Sequence, residues 1–201
     1  MTCEELSLFD NYRYLIGIDE AGRGPLAGPV YACAFCCSKE DYLKLLSFTH
    51  LTDSKKLNQK QREHLYSLFK SGQFVFSVKS VSNTEIDRIN ILRATEKAME
   101  NAVNSLPEEI TKNCILLIDG TVKLNLNLPY KNVIKGDLKC KTIAAASIMA
   151  KVSRDLHMLE LDRQYPQYNF KKHKGYPTKE HKQLIRKFGL SPVHRKSFKY
   201  F

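Results

Sequence analysis

Two apolar runs in this chain end the same way, on a carboxylate. Leu15-Ile16-Gly17-Ile18 leads into Asp19-Glu20, and Ile115-Leu116-Leu117-Ile118 leads into Asp119-Gly120. Runs this apolar read as central strands, and the C-terminal ends of such strands are where ligand sites gather in open α/β sheets. A third carboxylate, Asp155, falls at helical offsets from Ile148, Val152, Met158 and Leu159, on an apolar stripe. A charge facing a core is costly unless it is paired or bound to a metal. The paired alternative is a salt bridge to Lys151 or Arg154. Carboxylates brought to one spot repel, and a hard divalent cation with oxygen ligands makes such a cluster tolerable. Mg²⁺ and Mn²⁺ are the natural occupants, and metal-assisted phosphodiester hydrolysis is the chemistry such a site would do. Glu20 carries one condition. Neighbours in an ideal strand point to opposite faces, so Asp19 and Glu20 share a site only if the chain bends, which Gly22 and Gly24 would permit.

The charge of the rest of the chain fits a polyanionic partner. Residues 131–201 hold 17 basic and 5 acidic side chains, whereas residues 1–130 are nearly balanced. A one-sided positive field attracts nucleic acid and makes its binding salt-dependent. With 201 residues, 43% of them hydrophobic, the chain can bury one substantial core without disulfides or metals. No apolar run is long enough to span a bilayer. Six cysteines behind an acidic N-terminus that does not look like a secretory leader point to a reducing, cytoplasmic setting. Cys33 and Cys36 have metal-ligand spacing, but no second pair follows and the stretch reads as a buried strand.

The elements that must position the carboxylates follow from periodicity. Strands are expected at 14–19, 29–37, 74–79, 114–118 and 131–134. A capping box at Asn58 and Gln61 opens a helix over 58–71. Ile89, Leu92, Met99, Val103 and Leu106 predict one further helical face, Thr142 to Tyr165 a long helix, and Thr178–Phe188 a last one closed by Gly189. Residues 166–177 read as an irregular basic loop. The result is an α/β fold with a mixed central sheet flanked by helices. A catalytic part at 1–165 and a basic loop with a helical extension at 166–201 belong to the same single domain, and a monomer is expected.

Gly17-Ile18-Asp19-Glu20-Ala21-Gly22-Arg23-Gly24-Pro25-Leu26-Ala27-Gly28-Pro29-Val30 resembles the signature of bacterial ribonuclease HII, the type 2 ribonuclease H family. Further matches follow in the family's order. They are Asp53-Ser54-Lys55-Lys56-Leu57, Ile118-Asp119-Gly120, Ala145 through Asp155, His173-Lys174-Gly175-Tyr176-Pro177-Thr178 and His194-Arg195-Lys196-Ser197-Phe198. The resemblance runs over nearly the whole chain.

It implies a ribonuclease H-like fold with Asp19, Glu20, Asp119 and Asp155 holding two Mg²⁺ or Mn²⁺ ions. The implied activity is endonucleolytic cleavage of RNA paired to DNA, including single ribonucleotides in duplex DNA, leaving 3′-hydroxyl and 5′-phosphate ends. The backbone of Gly22, Arg23 and Gly24 is implied to read the ribose 2′-hydroxyl, Lys55 to hold a phosphate, and Tyr176 to stack on the sugar beyond the cut. A non-catalytic hybrid binder is the rival, and the retained carboxylates argue against it. The aromatic tail Phe198-Lys199-Tyr200-Phe201 suggests either a protein partner such as a replication clamp or packing on the domain.

Overall fold

The computed structural model describes residues 5–48, 51, 57–72 and 74–201. Its centre is a five-stranded sheet of β1 (Tyr14–Ala21), β2 (Val30–Cys37), β3 (Val75–Val81), β4 (Cys114–Asp119) and β5 (Tyr130–Val133), in the order β3-β2-β1-β4-β5. The β1, β2 and β3 strands pair antiparallel, whereas β4 runs parallel to β1 and to β5. The sheet is therefore mixed, as expected, and helices cover both faces. Ile16, Ile18, Ala32, Ala34, Leu116 and Ile118 point to one face, where they meet Ala98, Met99 and Val103. Cys33, Phe35 and Cys37 alternate to the other, where they meet Phe69, Ala145 and Met149. Burial of both faces is why the central strands read as unbroken apolar runs.

Among the described residues, the short α1 (Glu5–Leu8) and five further helices precede β4: α2 (Lys39–Leu46), α3 (Gln59–Ser71), α4 (Asn83–Ile89), α5 (Ile91–Asn104) and α6 (Glu108–Thr111). The capping box at Asn58 and Gln61 forms as its sequence predicts. The helical face drawn through Ile89 and Leu92 needs correction. Asn90 takes a positive φ of 68° and caps α5 by accepting the Arg93 N–H, so α4 and α5 are separate and Leu92 is 47% exposed.

After β5 come α7 (Gly136–Lys139), α8 (Lys141–Gln164), α9 (Phe170–His173) and α10 (Lys179–Phe188). The start of α8 lies hard against β1. A Cβ at Gly17 would sit 2.2 Å from the Thr142 carbonyl carbon, so only glycine allows this approach. The α8 N-terminus is capped from far away in sequence. Buried Glu5 accepts the N–H groups of Lys141 and Thr142, the Thr142 hydroxyl and the Tyr42 hydroxyl. No helix is long and apolar enough to cross a membrane among the described residues.

The stretch 166–177 is more ordered than its composition suggested. A 3₁₀ turn (Pro166–Tyr168) and α9 bury Tyr168, Phe170 and His173, which pack with His181 and His194. The His173 and His181 rings stack at 4.2 Å, and His181 Nε2 lies 3.1 Å from His194 Nε2. One proton serves that pair; charging both rings would set N–H against N–H. Burial accordingly pulls His181 and His194 down to about 4. In the tail, the Tyr200 hydroxyl donates to the Arg195 carbonyl, while Phe201 is 68% exposed beside Arg186.

A stability prediction follows. The unfolded chain binds protons at these histidines from pH ~6.5 downward, and the folded chain only near 4, so this contribution is complete above ~6.5 and is lost as pH falls toward 4. Urea unfolding at pH 7 and pH 5 should give a larger acid-side loss in the parent protein than in His181→Gln. Equal losses would remove the histidine cluster as the cause.

Candidate active site

The β1 and β4 strands lie side by side with Ile18 opposite Ile118, so Asp19 and Asp119 emerge together at the C-terminal end of the parallel pair. They line a pocket of about 260 Å³ together with Glu20, Gly22, Arg23, Gly24, Arg62, Ser147, Lys151 and Tyr176. Pairing to β4 stops at Ile18 while pairing to β2 continues to Ala21. Asp19 and Glu20 both line the pocket, and Gly22, with φ +102°, turns the chain directly after the strand that carries them.

Three carboxylates meet in this pocket, and Arg23, Arg62 and Lys151 line it with them. Asp19 is 6% exposed, and its carboxyl is held well above the ordinary range, first by desolvation and then by the charges of Glu20 and Asp119. Hydrogen bonds from Ser147 and from the Glu20 N–H, the latter at 2.7 Å, oppose that rise. Desolvation also raises Glu20, and Arg23, 3.6 Å away, pulls it back. Asp119 accepts the Gly136 N–H at 2.6 Å.

Asp155 is not part of this group. It pairs with Lys151 at 2.7 Å and faces a separate depression lined by Gln59, Arg62, Leu156 and Lys174. The residue of α8 that turns fully inward is its neighbour Arg154, which is 0% exposed. The predicted stripe was thus rotated by about one residue, and the charge buried on α8 is a cation. Lys151 then stands at the pocket, 5.7 Å from the Tyr176 ring, with Asp155 fixing its ammonium. Sequence reasoning passed over Asp137, a buried carboxylate directly after the Gly136 amide that holds Asp119. Arg62 and Ser147 were missed as well. Ser147 lies within the Ala145–Asp155 stretch that resembles the family, whereas nothing local marks Arg62. Lys55 lies outside the described residues.

Gly22, Gly24 and Tyr176 line the same pocket. Gly22 has φ +102°, and a Cβ there would strike Arg154 Nε at 2.1 Å; a Cβ on Gly24 would find nothing nearer than Tyr176 Cε1 at 3.9 Å. Tyr176 is 40% exposed, and its loop is tied to the glycine loop by the Leu26 N–H donating to the Gly175 carbonyl.

Among the described residues, no three acidic, histidine or cysteine side chains converge tightly enough to enclose an ion unaided. Mg²⁺ does not require that. It commonly takes one or two carboxylates and completes its shell with water and substrate phosphates. Mutually repelling, desolvated carboxylates beside an open pocket fit such an ion.

Residues 16–201 match the family model described as Ribonuclease HII. A ribonuclease HII from Caldicellulosiruptor saccharolyticus is 48% identical over 195 residues, 97% of this chain and 91% of that protein. The crystal structure of ribonuclease H2 from Pyrococcus horikoshii OT3 is similar with a TM-score of 0.77 at 25% identity, covering 93% of this chain and 94% of that one. The ribonuclease HII solved in complex with PCNA from Archaeoglobus fulgidus gives 0.72 at 25% identity, covering 92% and 95%.

The two glycines should separate on substitution. Gly22→Ala should lose roughly 1–3 kcal/mol of stability through the left-handed backbone and the Arg154 clash, and Gly24→Ala less than about 0.5 kcal/mol. Denaturant melts compare them directly, and similar losses would contradict the contacts described.

Proposed function

The chain belongs to the ribonuclease HII family and is a type 2 ribonuclease H endonuclease; on that premise we propose how its own residues carry out the cleavage of RNA–DNA hybrids and of duplex DNA containing single ribonucleotides. The observation that carries the reading is the sharing of one pocket by Asp19, Glu20 and Asp119 with Gly22, Arg23, Gly24 and Tyr176. Acidic groups sharing a pocket with the backbone of Gly22 and Gly24 suit a reaction at a phosphodiester next to a ribose.

Asp19, Glu20 and Asp119 would hold divalent ions, two of Mg²⁺ or Mn²⁺ when substrate is present. Bound there, such ions supply an activated water and charge stabilisation at the phosphate and the leaving 3′-oxygen. Asp137 is the fourth carboxylate of this reading, because it is buried one residue from the amide that fixes Asp119. Asp155 acts one step away, as the positioning partner of Lys151. The Lys151 ammonium faces the phosphate path as a point charge.

Glycines at 22 and 24 leave the backbone open to a sugar, and the 2′-hydroxyl is what distinguishes RNA from DNA. Tyr176 offers a half-exposed ring for stacking on the sugar past the cut. The basic C-terminal third adds affinity without sequence preference. Ribonucleotide removal from DNA and degradation of RNA primers are the roles this substrate choice would serve.

The test is a DNA duplex with one ribonucleotide, incubated with and without Mg²⁺ or Mn²⁺. One metal-dependent cut on the 5′ side of the ribonucleotide, leaving 3′-hydroxyl and 5′-phosphate ends, is expected. Asp19→Asn and Asp137→Asn should abolish it with hybrid binding retained, and Asp155→Asn should keep most of the turnover. A dead but folded Asp155→Asn with an active Asp137→Asn would reverse the two assignments.

Tyr176 makes a second prediction. Tyr176→Ala should slow cutting at the single ribonucleotide by about ten- to hundredfold, the loss of one stacking contact, and slow cutting of a continuous hybrid less. Equal losses on both substrates would leave Tyr176 with general binding only.

A further inference from the structure

Two arginines, Arg154 and Arg195, are wholly buried, and among the described residues neither forms a salt bridge. Both spend their guanidinium donors on backbone carbonyls, five of the six in the loop between β1 and β2 and the sixth that of Lys174. Arg154 donates to Ala27, Pro29 and Lys174. Arg195 donates through Nε to Gly28 at 2.9 Å, through Nη1 to Arg23 at 3.0 Å and through Nη2 to Gly22 at 2.6 Å. Isolated buried charge is expensive, and three hydrogen bonds to carbonyl dipoles are what offset it.

The last two of these bonds have a geometric consequence. In a trans peptide the C=O and the N–H point in opposite directions. The Gly22 carbonyl shares its plane with the Arg23 N–H, and the Arg23 carbonyl shares its plane with the Gly24 N–H. With both carbonyls drawn inward to Arg195, the two N–H groups are turned away from it. Arg23 and Gly24 are exposed and line the pocket, and neither N–H has a hydrogen-bond partner among the described residues. Two adjacent donors without a partner among the described residues therefore belong to residues that line the same pocket as the carboxylates.

Arg195 is itself held in register from several sides. Its N–H donates to the Leu26 carbonyl, and Asp87 accepts the N–H groups of Lys196 and Ser197 that follow it. The Tyr200 hydroxyl closes on its carbonyl. A residue near the end of the chain thereby fixes a loop near its start.

We propose that Arg195 is the positioning residue for ribose discrimination: by fixing the Gly22 and Arg23 carbonyls it presents the Arg23 and Gly24 N–H groups as donors to the 2′-oxygen of the ribonucleotide. This rests on the reading that the glycine loop meets the ribose. It adds the polarity of the contact, with the protein donating and the sugar oxygen accepting, and it assigns the residue that imposes that polarity. A lysine cannot replace this arginine, since a single ammonium does not span three carbonyls set for a planar fork.

Binding in EDTA, where no strand is cut, tests the proposal with the full chain. Affinities are measured by fluorescence anisotropy for a duplex with one ribonucleotide and for its all-deoxy twin, using the parent protein and Arg195→Lys. The parent should prefer the ribonucleotide duplex, and Arg195→Lys should lose about tenfold of that preference, the worth of a lost hydrogen bond or two, with its affinity for the all-deoxy duplex nearly unchanged. A role confined to stability would lower the active fraction for both duplexes and leave the ratio intact, and an intact ratio overturns the proposal. If the parent itself shows no preference, the ribose reading of the loop fails first and the proposal falls with it. If Arg195→Lys does not fold, amide NMR of the parent decides. The Arg23 and Gly24 N–H signals should shift with the ribonucleotide duplex and not with its twin, and identical shifts with both overturn the proposal.

Discussion

Acidic side chains gathered at the ends of two buried central strands set the terms for everything around them. Desolvation raises Asp19 and Glu20, and the charges of Glu20 and Asp119 raise Asp19 further. A fold gains nothing in stability from such a group, so the surrounding structure must over-determine it. It does so with the most rigid part available. The β1 and β4 strands are buried on both faces, their register sets Asp19 beside Asp119, and α8 presses on β1 through Gly17 to bring Ser147 to the Asp19 carboxylate. Glu5 in turn caps α8, and the Gly136 amide holds Asp119.

Beside these acidic groups the same pocket is lined by the backbone of Gly22, Arg23 and Gly24. On the proposed reading a sugar is met by those peptide groups, whose orientation needs restraint from outside the loop. The restraint comes from two buried guanidiniums and from the C-terminal segment that carries one of them. The stacked histidines and Tyr168 make that segment a small core of its own, joined to Leu26 and Ala27 of the glycine loop. Residues far from the chemistry in sequence thus fix the geometry of the pocket.

What could be read from sequence was what is local. A strand ending on a carboxylate, a capping box at Asn58 and a helix running from Thr178 to Gly189 each lie within a few residues of their own signal, and the structure contains all three. Asp155 misled because α8 is apolar on more than one side, so a rotation of one residue exchanges it with Arg154. Asn90 broke a predicted helical face because its tolerance of positive φ has no periodic signature. Glu5 at the α8 N-terminus, Arg62 at the pocket and the order within 166–177 depend on contacts between distant parts of the chain. No spacing rule reaches them. The ribonuclease HII signature located the glycine loop, but the carbonyl clamp behind it became visible only once Arg195 was seen to be buried.

If the carboxylate pocket is strained without a cation, thermal unfolding of the parent and of Asp19→Asn, in EDTA and in Mn²⁺, will show it. The isosteric amide keeps an oxygen for the Glu20 N–H and removes the desolvated charge. The account predicts that Asp19→Asn melts higher than the parent in EDTA, that Mn²⁺ raises the midpoint of the parent, and that this rise shrinks in the variant. A parent protein indifferent to Mn²⁺ that melts above Asp19→Asn in EDTA would contradict it.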